Sequence, residues 1–125
     1  MAHILIVALG GAVGASLRHL VNLATLRMLG PNFPWGTLTV NVFGSFAMGI
    51  FIELLLRRLG GSQELRLLIA TGLLGGFTTF SAFSLDVALL WERGAGVTAT
   101  IYAVSSVVLS IAALFAGLAL AKALT

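Results

Sequence analysis

The chain has 125 residues, of which 59% are hydrophobic and only 9% charged. A soluble domain is nearer half apolar and a quarter charged, and so short a chain buries too little of its surface to hide the excess; with a mean hydropathy of +1.11, a soluble globular fold is excluded and lipid is the expected solvent. The formal charge of +3 comes from basic residues scattered at the ends of apolar runs, a pattern of interfacial anchoring that argues against a nucleic-acid partner, and with no cysteine there is no disulfide framework, thiolate metal site or thiol nucleophile.

A membrane span needs about 20 mainly apolar residues, and four stretches qualify. The first covers about 4–26 and is interrupted by Arg18 and His19. Its start lacks the basic leading region of a cleaved signal peptide, so it is read as a spanning helix. The turn Gly30-Pro31-Asn32-Phe33-Pro34 follows, where two prolines stop any helix. The second span covers about 36–56 and ends at Arg57-Arg58; the third covers about 65–91 and is closed by Glu92-Arg93-Gly94; the fourth covers about 97–120, before Lys122. All links are short, so successive helices are expected to lie antiparallel in one four-helix transmembrane domain over 1–125, with both termini on one side.

Orientation follows the Lys/Arg balance of the short loops. The side with the termini carries Arg57, Arg58, Arg66 and Lys122; the other carries Arg27, Arg93 and Arg18. Four against three is almost no bias. Either the weak bias still fixes one orientation, or the chain inserts both ways up and two opposite copies pair about an axis in the membrane plane, as inverted repeats do in larger transporters. Charge counting leaves both open.

Small residues mark helix contacts: Gly10 and Gly14, Gly72 and Gly76, Ser45 and Gly49, and the series Ala113, Gly117, Ala121 all have the spacing that lets backbones approach closely in lipid. The third span differs. Its centre, Thr71 to Ser81, places paired glycines before paired threonines, a poor helix. A break at bilayer depth strands carbonyls and amides, tolerable only where protein, water or an ion satisfies them. The alternative is a kinked continuous helix with hydroxyls bonded to the preceding turn; the pattern favours the break.

Polar side chains at bilayer depth mark pathways. Asn41 lies in the second span with Ser45 one turn further on. Tyr102, Ser106 and Ser110 recur at four-residue spacing and form a stripe on the fourth span. Phe80 and Phe83 share a face just beyond the suspected break. Arg18 is the only basic residue well inside a span; it either snorkels or draws anions into a vestibule. Glu53, Asp86 and Glu92 sit toward helix ends and are expected to anchor or pair. No nucleophile with an orienting base, metal cluster or phosphate loop is recognisable, so catalysis is not expected. Amide NH₂, hydroxyls and the positive edges of phenyl rings all suit an anion, and no embedded carboxylate is available for a cationic substrate.

These segments resemble a known family. GGAVGASLRH (10–19), GTLTVNVFGSFAMG (36–49) and GLLGGFTTFSAFS (72–84), with Tyr102, Ser106 and Ser110, make the chain similar along essentially its whole length to the small bacterial fluoride channels called Fluc or CrcB. The resemblance implies a multi-pass inner-membrane protein, an antiparallel dual-topology homodimer with two fluoride pathways, and a passive channel that exports fluoride and relieves its toxicity. It implies that Asn41 lies in the pathway, that the ring edges of Phe80 and Phe83 face fluoride, that Thr79, Ser81, Ser106 and Ser110 form a hydroxyl track beside Tyr102, and that Arg18 serves a vestibule. It also implies a structural Na⁺ at the dimer centre, held by the backbone carbonyls of Gly75 and Thr78 in the broken third helices. Two departures show: Ala82 replaces a usual threonine and His19 a usual aromatic. The rival is a dual-topology small multidrug exporter, which needs a membrane-central carboxylate that this sequence lacks.

Overall fold

A computed structural model of the chain describes residues 2–125. The described chain is helical, and four helical stretches are long and apolar enough to cross a membrane. They are α1 (Ala2–Leu29), α2 (Trp35–Arg57), the composite third span Gln63–Glu92, and α6 (Gly96–Leu124). Each exceeds the length required by a hydrocarbon core of about 30 Å at about 1.5 Å per residue. Glycines follow three of them, Gly60 after α2 with φ of 73°. Gly30, directly after α1, and Gly94, before α6, both have φ of 81°, the left-handed conformation that side chains with a Cβ rarely adopt.

The third span is assembled from pieces. A short α3 (Gln63–Leu65) begins where Ser62 Oγ accepts from the Leu65 amide at 3.3 Å. The backbone then widens into a π-helical segment, Arg66–Leu74, unusually long for a form that normally occurs as a single-turn bulge. One turn of α-helix follows, α4 (Gly75–Phe77), after which Thr78 has φ −87° and ψ 161°. Helical geometry resumes in α5 (Ser81–Glu92).

The bundle is held by backbone-to-backbone approach. On α1, a Cβ at Gly10 would collide with the Leu68 carbonyl, and one at Gly14 with the Leu73 carbonyl. In return, a Cβ at Gly72 would meet Gly10 Cα at 3.0 Å and one at Gly76 the Gly11 carbonyl oxygen at 2.7 Å. The two glycine motifs of the sequence are thus the two halves of one interface. A second such pair joins α2 to α6, where Gly49 lies on the Leu114 carbonyl and Gly117 on the Phe46 carbonyl. Without a hydrophobic drive between helices in lipid, this close approach and the dispersion contacts it allows are what hold them together.

Outward faces carry exposed apolar side chains such as Ile4, Leu9, Val97 and Phe115, as a lipid solvent requires. The largest fully buried side chains are Val40 and Tyr102. Tyr102 centres a cluster with Leu90 and Ala99, against which Phe33, Leu38, Phe83 and Val87 pack. The interior is therefore organised around a polar aromatic on α6.

Candidate functional site

Thr78 to Phe80 are where the third span needs outside partners, and α2 supplies one. The side chain of Asn41 donates through Nδ2 to the Thr79 carbonyl at 2.9 Å, and its Oδ1 accepts from the Thr79 amide at 2.8 Å. The pair imitates two rungs of a β-ladder. In a continuous α-helix the Thr79 amide would reach the Gly75 carbonyl; turned to Asn41, it leaves that carbonyl without its helical donor. The Thr78 amide and hydroxyl both bond back to the Leu74 carbonyl at 3.0 Å. Thr79 Oγ1 accepts from the Ala82 amide at 3.1 Å, satisfying a donor in the first turn of α5. Gly44 makes room for this arrangement, since a Cβ there would strike Thr78 Cγ2.

The same residues line a cleft of about 410 Å³ between α2, α5 and α6. Asn41 and Ser45 enter from α2, Gly75, Thr78, Thr79, Phe80 and Phe83 from the third span, and Ser106 and Ser110 from α6. Ser106 is 5% exposed and its Oγ has no hydrogen-bond partner among the described residues, so a buried hydroxyl keeps its donor capacity. Nδ2 of Asn41 keeps one N–H beyond the one given to Thr79. Phe80 and Phe83 pack ring to ring at 5.5 Å, and Phe80 is 75% exposed on the open side of the cleft. No carboxylate is among the lining residues.

Three residues named from the sequence lie elsewhere. Tyr102 sits behind the cleft, fully buried, its hydroxyl donating to Asp86 Oδ2 at 3.0 Å and its ring 5.3 Å from that of Phe83. Ser81 is exposed at the start of α5, with its hydroxyl 3.5 Å from Thr79 Oγ1. Arg18 is half-buried on α1 and is not among the cleft residues.

Two residues escaped the sequence reading. Thr37 is buried next to the Tyr102 hydroxyl. Its signal was present: Thr37, Asn41 and Ser45 follow one another at four-residue spacing on α2, facing the Tyr102, Ser106, Ser110 series on α6. Phe33, in the proline turn, packs edge-on against Tyr102 at 5.4 Å and 87°; nothing in its local pattern indicates that contact.

The arrangement can strip water from a small anion, offering it hydroxyls, an amide N–H and positive ring edges in a slot without competing negative charge. Comparison with known proteins points the same way. The family model described as "CrcB-like protein, Camphor Resistance (CrcB)" matches residues 5–118. The protein named "Fluoride-specific ion channel FluC" from Mesorhizobium japonicum is 60% identical over 124 residues, 99% of each chain. Proteins of the same name from a Chelativorans species, 60% identical over 124 residues and 99% of each chain, and from Agrobacterium fabrum, 56% identical over 122 residues and 98% of each chain, are similar.

Proposed function

We propose, because this chain belongs to the CrcB-like family, that it is a passive, fluoride-selective channel of the bacterial cell membrane, built from two copies in opposite orientations. The relatives it matches across nearly their full length carry the name of a fluoride-specific ion channel. HF crosses membranes uncharged and dissociates inside near neutral pH; the channel returns the trapped anion down its gradient.

One observation carries the reading: a polar cleft at bilayer depth that a single chain leaves open. Gly75 and Ser81 are exposed, Thr79 is half-buried, and the Gly75 carbonyl lacks its helical donor. Exposed backbone of this kind cannot face hydrocarbon. A second copy covers it and completes each pathway. Almost no Lys/Arg bias separates the two sides, which suits insertion both ways up. The interruption at Thr78 supports reading the third span as broken within the membrane.

The carbonyls at the start of α4 and just beyond its end fit a hard cation, which takes oxygen ligands and needs no thiolate or imidazole. Gly75 and Thr78 would contribute those carbonyls to a Na⁺ at the dimer centre, whose charge would satisfy both interrupted helices. Along each pathway Phe80 and Phe83 offer ring edges, Asn41, Thr79, Ser81, Ser106 and Ser110 offer polar hydrogens, and Tyr102 is the wall behind them. Fluoride holds its water strongly, so a narrow route needs many such donors in series.

Purified protein in liposomes loaded with fluoride, and separately with chloride, tests the proposal. Rapid passive fluoride efflux with little chloride leak is expected. Transport that requires a proton gradient, or equal passage of both anions, overturns it.

A further inference from the structure

We infer that the cavity beneath the α1–α2 turn is an outer capture site for small monovalent anions, with Arg93 as its positive group and Phe33 on the aromatic wall it shares with the conduction cleft. The inference rests on the channel reading above and adds a site to it. The cavity holds about 270 Å³ and is formed where α1, the proline turn and the end of α5 meet; Asn22, Asn32, Phe33, Asp86 and Arg93 line it.

Its chemistry suits a hydrated anion. The guanidinium of Arg93 is exposed yet tethered, donating through Nη2 to the Asn32 carbonyl at 3.4 Å. A guanidinium has five N–H donors, so most remain free. Asn22 adds a side-chain amide. Thr25, also on the wall, has its hydroxyl hydrogen committed to the Val21 carbonyl at 2.9 Å and contributes no donor. Asp86 faces the same cavity from α5, with Oδ2 occupied by the Tyr102 hydroxyl. A carboxylate on the cavity wall opposes tight holding: an anion is attracted to Arg93 but not trapped, which conduction requires.

A row of packed rings separates the cavity from the cleft. Phe33 lies 5.4 Å from Tyr102, Tyr102 5.3 Å from Phe83, and Phe83 5.5 Å from Phe80, centroid to centroid. The first is on the cavity wall and the last two line the cleft, so the two spaces share one continuous aromatic partition. Arg27 provides an internal control. It lies at the same end of the bundle, exposed, in the last turn of α1 and outside the cavity.

Fluoride efflux from liposomes carrying wild type, Arg93→Gln, Arg93→Lys or Arg27→Gln is measured with ionic strength set by impermeant gluconate salts. Capture by a charged rim predicts that Arg93→Gln is several-fold slower at ~0.01 M, where charges act over ~30 Å, and indistinguishable from wild type at ~1 M, where they act over ~3 Å. Arg93→Lys retains most of the low-salt advantage, and Arg27→Gln slows efflux less than Arg93→Gln. Three results overturn the site: Arg93→Gln equal to wild type at low salt, an equal loss in Arg27→Gln, or a loss in Arg93→Gln that does not change with salt. A wild-type protein that passes no fluoride at either salt overturns the channel reading, and this site with it.

Discussion

Asn41 and Thr79, 38 residues apart in sequence, exchange two hydrogen bonds across the α2–third-span boundary, at 2.9 and 2.8 Å. The side chain substitutes for a missing strand, and the backbone of Thr79 is satisfied only by this residue type: it needs a donor and an acceptor on one planar head. Asn41→Asp keeps the acceptor and loses the donor. The stranded Thr79 carbonyl costs about 1–3 kcal/mol. A negative charge about 4 Å from a passing anion adds about 4 kcal/mol of repulsion at an effective dielectric near 20. Fluoride efflux from liposomes is expected to fall by about two orders of magnitude or more, with the size-exclusion profile unchanged from wild type. Wild-type efflux from this variant removes Asn41 from the pathway.

The glycine interface makes a sharper contrast, because neighbouring positions differ. A Cβ at Gly14 would overlap the Leu73 carbonyl and lie 2.8 Å from the Phe77 amide, whereas one at Gly11 meets nothing closer than the Gly72 carbonyl at 4.0 Å. Gly14→Leu is expected to prevent α1 from docking on the third span; overpacking alone typically costs about 1–3 kcal/mol, and here the obstacle is backbone that cannot rotate away. Gly11→Ala is expected to be within about 0.5 kcal/mol of wild type. Thermal melting of the detergent-solubilised protein reads both. Equal melting temperatures for the two variants would show that the α1 contact is not the one described.

Much of this was legible in the residues, and the parts that were not share a cause. The GxxxG pairs at 10–14 and 72–76 could be found by eye, but fifteen glycines allow many pairings, and only coordinates show that these two meet each other. Asn41 was recognisable because an amide at bilayer depth is costly; its partner was not, since Thr79 becomes available only after the helix lets go of it. The π-helical winding of Arg66–Leu74 has no local signal, because the same residues satisfy α-helical propensity. Asp86 was expected to anchor or pair, and it pairs, with Tyr102. Spacing along one helix survives translation into structure; contacts between elements depend on how the helices pack and do not.

Ser106 separates stability from conduction. Its hydroxyl is buried without a partner among the described residues, so no hydrogen bond between them is lost when it is removed, and relief of an unsatisfied group is worth up to about 1–3 kcal/mol. Ser106→Ala is therefore expected to melt at or above the wild-type temperature while conducting fluoride several-fold more slowly. A variant that is destabilised, or conducts normally, contradicts the view that this hydroxyl is held for the ion.

Sodium withdrawal tests the carbonyl site independently of any substitution. With purification and assay carried out in N-methylglucamine salts, fluoride efflux is expected to fall, and to recover on return of Na⁺, because the Gly75 and Thr78 carbonyls would again have a cation to face. Efflux unaffected by complete replacement removes the structural ion from the account while leaving the pathway residues untouched.

Phe80 tests the ring-edge chemistry itself. It is 75% exposed in the single chain, so replacing it with Ile creates no cavity in the protomer, and stability should change by no more than about 0.5 kcal/mol. What disappears is the positive edge of an aromatic ring, which an aliphatic side chain of similar bulk cannot supply. Phe80→Ile is accordingly expected to elute from size-exclusion chromatography as wild type does and to lose most fluoride efflux, and Phe80→Tyr, which retains the ring, to keep a substantial part of it. If Ile and Tyr variants conduct alike, bulk rather than ring electrostatics is what the pathway uses at this position, and the anion must draw its stabilisation from the Asn41 amide and the Ser106 and Ser110 hydroxyls alone.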